Sequence, residues 1–289
     1  MKKLIILLGV VGVSVSAPLI RFSTAPSMVL VLYRVMMAAL LLSPVVLTKN
    51  RAELAAIGRK DLFLCLASGL ALGLHFSCYF EALRFTSIAS AVALVDTEVF
   101  FVAFMLLFLF REKLSGMAWA GIITTFAGSV IIALADAGSG SNVLLGDAIA
   151  LAGALCMAVY TMIGRTCRQR ITTNTYTFLV YLSAGITVLV ILLCSGQPLL
   201  GYEPVNWLTA LGMALFCTLL GHSVFSWGLK YESAAFISTA KLLEPVFASI
   251  LGVLLFREIP SLPVIVGGCV VILGLFILPS AEDSRLCRR

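Results

Sequence analysis

Charge is what this sequence lacks most. Charged side chains make up 12% of its 289 residues, where a soluble globular chain carries roughly 25%. Hydrophobic residues supply 61%, and the mean hydropathy is +1.10, so an ordinary soluble enzyme is excluded. Catalytic signatures are missing as well: there is no GxxxxGK[ST], HExxH, GxSxG or glycine-rich dinucleotide loop. Without them neither ATP hydrolysis nor another enzymatic activity is expected, and no cofactor is called for. The eight cysteines form no CxxC and fall mostly inside apolar stretches, where Cys behaves as a small hydrophobe, so neither a disulfide framework nor a zinc site is indicated. Two histidines are too few for a metal centre. The net charge of +6 comes without a basic stripe interleaved with aromatics, so nucleic acid is not an expected partner. The basic residues sit between apolar runs, where they orient a chain in a bilayer.

The long apolar runs themselves fill most of the chain. A hydrocarbon core of roughly 30 Å needs about 20 apolar residues as a helix, and ten segments meet that test: 4–22, 27–47, 62–80, 86–110, 115–135, 145–163, 176–194, 207–229, 233–256 and 262–278. The expected fold is all-α, a polytopic membrane protein with short loops. Lys2, Lys3 and the small residues before Pro18 resemble a cleavable signal peptide, but removing that segment would leave an odd number of spans and break the repeat described next. With the N-terminus inside, fifteen Lys and Arg fall on the cytoplasmic side, against Arg21, Arg84 and Arg257 outside. Both termini are therefore expected in the cytoplasm.

Shifting the chain by 146 residues places Leu83 on Leu229, Ser87 on Ser233, Ala89 on Ala235, Glu98 on Glu244 and Phe101 on Phe247. The same shift pairs Phe110-Arg111-Glu112 with Phe256-Arg257-Glu258, Ser115 with Ser261, Gly121 with Gly267 and Gly128 with Gly274. Five spans per copy is an odd number, so the second copy enters the membrane upside down, with Arg111 inside and Arg257 outside. Such five-plus-five inverted repeats are transporter architecture. The expected organisation is a first repeat over 1–137, a second over 145–279 and a cytoplasmic tail over 280–289.

The chain resembles the drug/metabolite transporter superfamily, in particular permeases with two EamA domains. The resemblance spans nearly the whole chain and rests on Ser14-Val-Ser-Ala-Pro18, Val31-Leu-Tyr-Arg34, Phe85-Thr-Ser-Ile-Ala-Ser90 leading to Glu98, Phe110-Arg-Glu-Lys-Leu114, Gly146-Asp147, Tyr176-Thr-Phe-Leu-Val-Tyr181, Leu243-Glu-Pro-Val-Phe247 and Phe256-Arg-Glu258. It implies a ten-helix secondary transporter, often an exporter of amino acids or other small metabolites, with a cavity built by helices 1, 3, 4, 6, 8 and 9 and with helices 5 and 10 at the periphery. One departure stands out: Glu98-Val99 in the first copy faces Glu244-Pro245 in the second, which limits any proline kink to the second half.

Ionisable side chains inside the bilayer are functional candidates by default, because each costs about 2.5 to 3.5 kcal/mol to insert. Glu98 and Glu244 fall at the middle of the fourth and ninth spans, where they serve transport or satisfy a neighbouring helix. Lys241 is three residues before Glu244, on the same helical face, where an internal ion pair would form. Asp96 points away from Glu98 and is expected to meet another helix. Arg34 and Lys241 against Asp96, Glu98 and Glu244 leave one carboxyl without a partner, which predicts proton coupling through Glu98 or Glu244. His75 and His222 lie on equivalent helices one residue out of register, and suit a zwitterion, a proton relay or simple hydrogen bonding to a neighbour. Arg34 is near enough to the outer end of its span to snorkel. Tyr79, Tyr160, Tyr181 and Trp227 are pocket or interface aromatics, and Gly69, Gly73, Gly267 and Gly268 are packing positions.

The leading expectation is a multi-pass inner-membrane permease that moves small polar or amphipathic, amino-acid-like metabolites by alternating access, most often outward. Its central site would comprise Glu98, Glu244, Lys241, His75 and His222, with Arg34 and Tyr160 beside them. The expected partners are a small-molecule substrate and the lipid bilayer, with the chain acting as a monomer or homodimer. An importer, a lipid scramblase and a structural membrane subunit are the alternatives.

Overall fold

A computed structural model describes residues 1–86, 88–135, 142–257 and 259–278. Ser87, Glu258 and the expected tail therefore lie outside the described residues. The described chain runs through fifteen α-helices and one π-helical segment: α1 (Lys2–Ser14), α2 (Ser16–Ile20), α3 (Ser27–Thr48), α4 (Arg51–Ala56), α5 (Arg59–Ala82), α6 (Ile88–Asp96), α7 (Glu98–Phe108), α8 (Gly116–Ala135), α9 (Val143–Cys167), α10 (Thr173–Cys194), α11 (Pro204–Gly212), the π segment Met213–His222, α12 (Ser223–Gly228), α13 (Ala234–Lys241), α14 (Glu244–Phe256) and α15 (Leu262–Ile277). Nine helical stretches among the described residues are long and apolar enough to cross a bilayer. The tenth, α15, has 16 residues, about 24 Å at 1.5 Å per residue. Spans 1, 4, 8 and 9 are built from α1–α2, α6–α7, α11–π–α12 and α13–α14.

The packing obeys the inverted repeat. Span 1 packs on span 8 and span 3 on span 6; span 4 packs on span 6 and span 9 on span 1; span 3 packs on span 7 and span 8 on span 2. The pairs 2 with 7 and 5 with 10 are their own counterparts. Exchanging the halves therefore maps this set of contacts onto itself. The span ends repeat the symmetry: Arg111 and Arg257, the middle residues of the duplicated Phe-Arg-Glu turns, both take the left-handed backbone, with φ of 55° and 57°, a conformation uncommon outside glycine. Phe110 lies beneath the Arg165 guanidinium of span 6 at 4.7 Å and Phe256 beneath Arg21 at the end of span 1 at 4.7 Å, so the two turns are held by equivalent spans.

Spans 5 and 10 form the most extensive helix pair, and glycine lets them touch. A Cβ on Gly128 would lie 2.7 Å from the Gly267 carbonyl oxygen, and one on Gly267 would lie 2.8 Å from the Gly128 oxygen. Gly121 and Gly274 form the counterpart approach: a Cβ on Gly121 meets the Gly274 oxygen at 3.0 Å, and one on Gly274 meets the Thr125 nitrogen at 2.3 Å. Where hydrocarbon surrounds both partners, such backbone proximity supplies the dispersion that drives helix association. Gly69 and Gly73 do the same for span 3 against span 7, at Val180, Ser183 and Thr187. Gly268, expected as a further close approach, has nothing nearer than Val246 at 3.7 Å, because it sits on the looser side of α15. Large apolar side chains such as Leu40, Phe63, Phe104, Leu144, Leu254 and Phe276 are exposed on the outer surface, where lipid chains cover them.

One loop carboxylate ties two spans together. Glu53, on α4, accepts from the Thr172 backbone N–H at 2.7 Å and from the Thr172 and Thr175 hydroxyls at 2.5 Å each. Thr172 is the N-cap of α10 and has no cap bond from its own side chain, so Glu53 supplies the missing acceptor from outside the helix. Burial pushes the Glu53 carboxyl up, and the hydrogen bonds from Thr172, Thr175 and Asn50 outweigh it, holding the group below its ordinary value of 4.5.

Two predictions follow from this packing. Gly274→Ala or Gly128→Ala is expected to cost about 1–3 kcal/mol of stability through overpacking, while Gly268→Ala stays within about 0.5 kcal/mol, read from unfolding in detergent micelles; equal effects at all three would contradict the close approach. A carboxylate depressed in the folded state contributes stability that is complete above its unfolded value and is lost as pH falls through the folded one. The melting-temperature gap between wild type and Glu53→Gln is accordingly expected to be widest at neutral pH and to close as the pH falls below the ordinary 4.5; a gap independent of pH would refute the cap.

Candidate functional site

Spans 4 and 9 are both broken, at equivalent places. The first stops at Asp96 and resumes at Glu98; the second stops at Lys241 and resumes at Glu244. The second break carries Pro245, where the sequence confined any proline kink, and the first half breaks without proline. Neighbouring side chains explain it. The Ser129 hydroxyl donates to Asp96, the Thr97 hydroxyl donates back to the Leu94 carbonyl at 2.5 Å, and Glu98 is drawn to the opposite side. Each glutamate opens the second half-helix of its span, where the partial positive charge of a helix start favours a carboxylate.

Glu98 is buried in a cage made by three spans. Lys241 Nζ donates to Oε1 at 3.1 Å and to Oε2 at 3.2 Å, the Thr161 hydroxyl donates at 2.9 Å and the Ser238 hydroxyl at 3.0 Å. The Lys241 and Glu98 side chains keep only 11% and 8% of their surface. Lys241 thus pairs across the repeats with Glu98, whereas the sequence spacing had favoured Glu244 on its own helix. The reason is local: α13 ends at Lys241, so the continuous turn that would bring residue 241 over residue 244 is absent. Asp96 does meet another helix, through Ser129. The carboxyl left without a partner is Glu244: among the described residues no hydrogen bond or ion pair reaches its side chain, and the nearby cations acting on it are Arg34 and Lys241.

The remaining candidates surround Phe76. Arg34 is 4% exposed, so it does not snorkel; its guanidinium lies over the Phe76 ring at 4.4 Å, and its Nε is buried without a partner among the described residues. The ring centroids of His75 and His222 lie 5.3 and 5.6 Å from that of Phe76. His75 Nδ1 lies 3.0 Å from the Gly153 carbonyl oxygen; it must donate there, which leaves the Nε2 lone pair free in the neutral ring. Among the described residues His222 Nδ1 is buried with no partner. Tyr160 bonds Ser226 at 3.0 Å, with its ring 6.3 Å from His222. The one-residue offset between the two histidines falls at the end of the π segment, whose wide turn is held by Thr218 Oγ1 donating to the Met213 carbonyl and by Tyr181 donating to the Thr218 carbonyl. Trp227 instead meets Tyr231 in a tilted contact with ring centroids 4.8 Å apart, and Tyr231 also holds Lys2. No group of three or more potential metal ligands occurs among the described residues.

Sequence reasoning missed Phe76, Thr161 and Ser238. Phe76 gave no signal beyond following His75, while Thr161 and Ser238 were visible only as hydroxyls in apolar spans.

The sequence profile of the EamA-like transporter family matches this chain twice, over residues 2–134 and 144–279. The chain belongs to the EamA-like transporter family. Among its relatives are an uncharacterized transporter of Clostridium kluyveri, 26% identical over 86% of this chain and 82% of that protein, one of Archaeoglobus fulgidus, 25% identical over 88% of both, and the uncharacterized transporter YxxF of Bacillus subtilis, 25% identical over 86% of this chain and 80% of that one. A crystal structure 18% identical in sequence superposes with a TM-score of 0.80 over 98% of both chains, which establishes the fold. This EamA-family chain is a multi-pass membrane protein built for transport.

The cage sets the two interior acids of span 4 apart. Glu98→Gln strands Lys241 and is expected to cost about 3–5 kcal/mol, whereas Asp96→Asn keeps an acceptor for Ser129 and costs under about 1 kcal/mol. Unfolding midpoints in detergent measure both, and a larger loss for Asp96→Asn would contradict the pairing.

Proposed function

We propose that this EamA-family chain is a secondary transporter that exports small polar or amphipathic, amino-acid-like metabolites across the inner membrane by alternating access, with both termini in the cytoplasm and with proton movement linked through Glu244. The observation that carries this reading is the break of spans 4 and 9 at Glu98 and Glu244, which sets charged groups at the interface of two inverted repeats. Discontinuous helices meeting at mid-membrane are where such folds hold substrates and coupling ions. Glu98 is neutralised by Lys241, so Glu244 is the carboxyl left to exchange a proton. Membrane depth makes an unpaired ionisable group costly, and a transport cycle gives it a use. His75, His222, Tyr160 and Arg34 supply directional polar groups around one aromatic floor.

The test is accumulation of labelled amino acids, small amines and sugar metabolites in proteoliposomes, with and without an imposed proton gradient. Gradient-driven transport of one solute class is expected in wild type, with at least about a tenfold loss of the gradient's effect in Glu244→Gln. Transport insensitive to both the gradient and the substitution would refute proton linkage, and lipid flip without solute transport would favour a scramblase.

A further inference from the structure

Two buried nitrogens beside Phe76, Arg34 Nε and His222 Nδ1, have no partner among the described residues, and they point to the chemistry of what binds there. Arg34 is 4% exposed, yet no ion pair reaches it among the described residues; its contact is the Phe76 face at 4.4 Å. Lys241, by contrast, is held by Glu98 at 3.1 Å. A buried guanidinium keeps its charge, and burying it without a counter-anion is expensive. Its Nε has no acceptor. His222, whose ring centroid lies 5.6 Å from that of Phe76, is buried with its Nδ1 unpartnered among the described residues, while His75 has already used its Nδ1 on Gly153. Thus Arg34 and His222 both contact Phe76 and each keeps an unpartnered nitrogen.

We propose that Arg34 and His222 form a carboxylate subsite over Phe76, so that the transported solute carries a single carboxylate, taken in the guanidinium fork and completed by His222. This rests on the transport reading and names the end of the solute that the site recognises. A planar fork matches a carboxylate with two parallel bonds. One free cation balances one negative charge. A phosphate dianion would need a second cation, and Lys241 is committed to Glu98. The Phe76 face beneath Arg34 fixes the plane of the fork, and an apolar tail on the carboxylate would meet aromatic surface. Glu244 acts on Arg34 from beyond ion-pair distance, so a solute bearing an ammonium as well as the carboxylate is tolerated and one bearing a second carboxylate is disfavoured.

Purified full-length protein in detergent would be tested by thermal shift and equilibrium binding with matched probes: L-leucine, isovalerate, L-phenylalanine and benzoate, against leucinol, isovaleramide, phenylalaninol and benzamide. At least one carboxylate is expected to bind with its alcohol or amide counterpart at least about tenfold weaker, the value of one charge-assisted hydrogen bond. Arg34→Gln is expected to abolish that preference, and Arg34→Lys, which keeps the charge and loses the fork, to weaken it by at least about tenfold. His222→Gln provides an independent variant should the Arg34 substitutions fail to fold, and is expected to weaken carboxylate binding while leaving the alcohols unchanged. Absence of any carboxylate preference in wild type, or its persistence in Arg34→Gln and His222→Gln, would overturn the subsite. Carboxylate binding that depends on Arg34 without transport in vesicles would uphold the subsite and refute the transport reading; transport of uncharged solutes unaffected by Arg34→Gln would do the reverse.

Discussion

The cost of charge in hydrocarbon organises this protein. Glu98 and Lys241 lie in the fourth and ninth spans, far apart in sequence, and each is tolerable at that depth only because the other neutralises it. Their pairing brings the two repeats together where both spans break, with Thr161 and Ser238 filling the remaining positions around the carboxylate. The broken helices suit the same constraint, since a carboxylate at the start of a half-helix lies at the positive end of that half-helix's dipole, which a continuous helix would not offer there.

In the interior the repeat is symmetric in Glu98 and Glu244 but not in its cations. The shift of 146 residues that places Glu98 on Glu244 places Val95 on Lys241 and Arg34 on Val180. Each interior cation is therefore present once. Lys241 is committed to Glu98, while Arg34 and Glu244 face each other's fields without an ion pair. A symmetric shell of paired spans thus encloses an asymmetric interior, which is what a site binding an asymmetric solute requires. Around it, the glycine-lined spans 5 and 10 close one side of the molecule and spans 2 and 7 another.

Much of this was legible in the sequence because it depends on spacing. Span number, the inverted duplication and the glycine pairs are periodic features, and the structure reproduces them; Gly121 with Gly267 and Gly128 with Gly274 were found as equivalents and turn out to touch crosswise, 121 to 274 and 128 to 267. The candidate residues around the breaks were found because ionisable groups are rare in apolar runs. Partner choice was not legible. Lys241 with Glu98 and Asp96 with Ser129 are contacts between distant helices, set by how the half-helices are aimed. The break at Asp96 to Glu98 had no proline to announce it, and the π segment before His222 has no local signature. Arg34 was misplaced because distance from a span end says nothing about which way a helix faces; Phe76 holds it inside.

The most direct measurement is a double-mutant cycle on Glu98→Gln and Lys241→Met, read as unfolding free energy in lipid micelles. If the pair joins the repeats, each single substitution strands a buried charge and the double variant recovers part of the loss. A coupling of at least about 2 kcal/mol is then expected. Losses that simply add would contradict it, and would mean that each charge finds its neutralisation elsewhere.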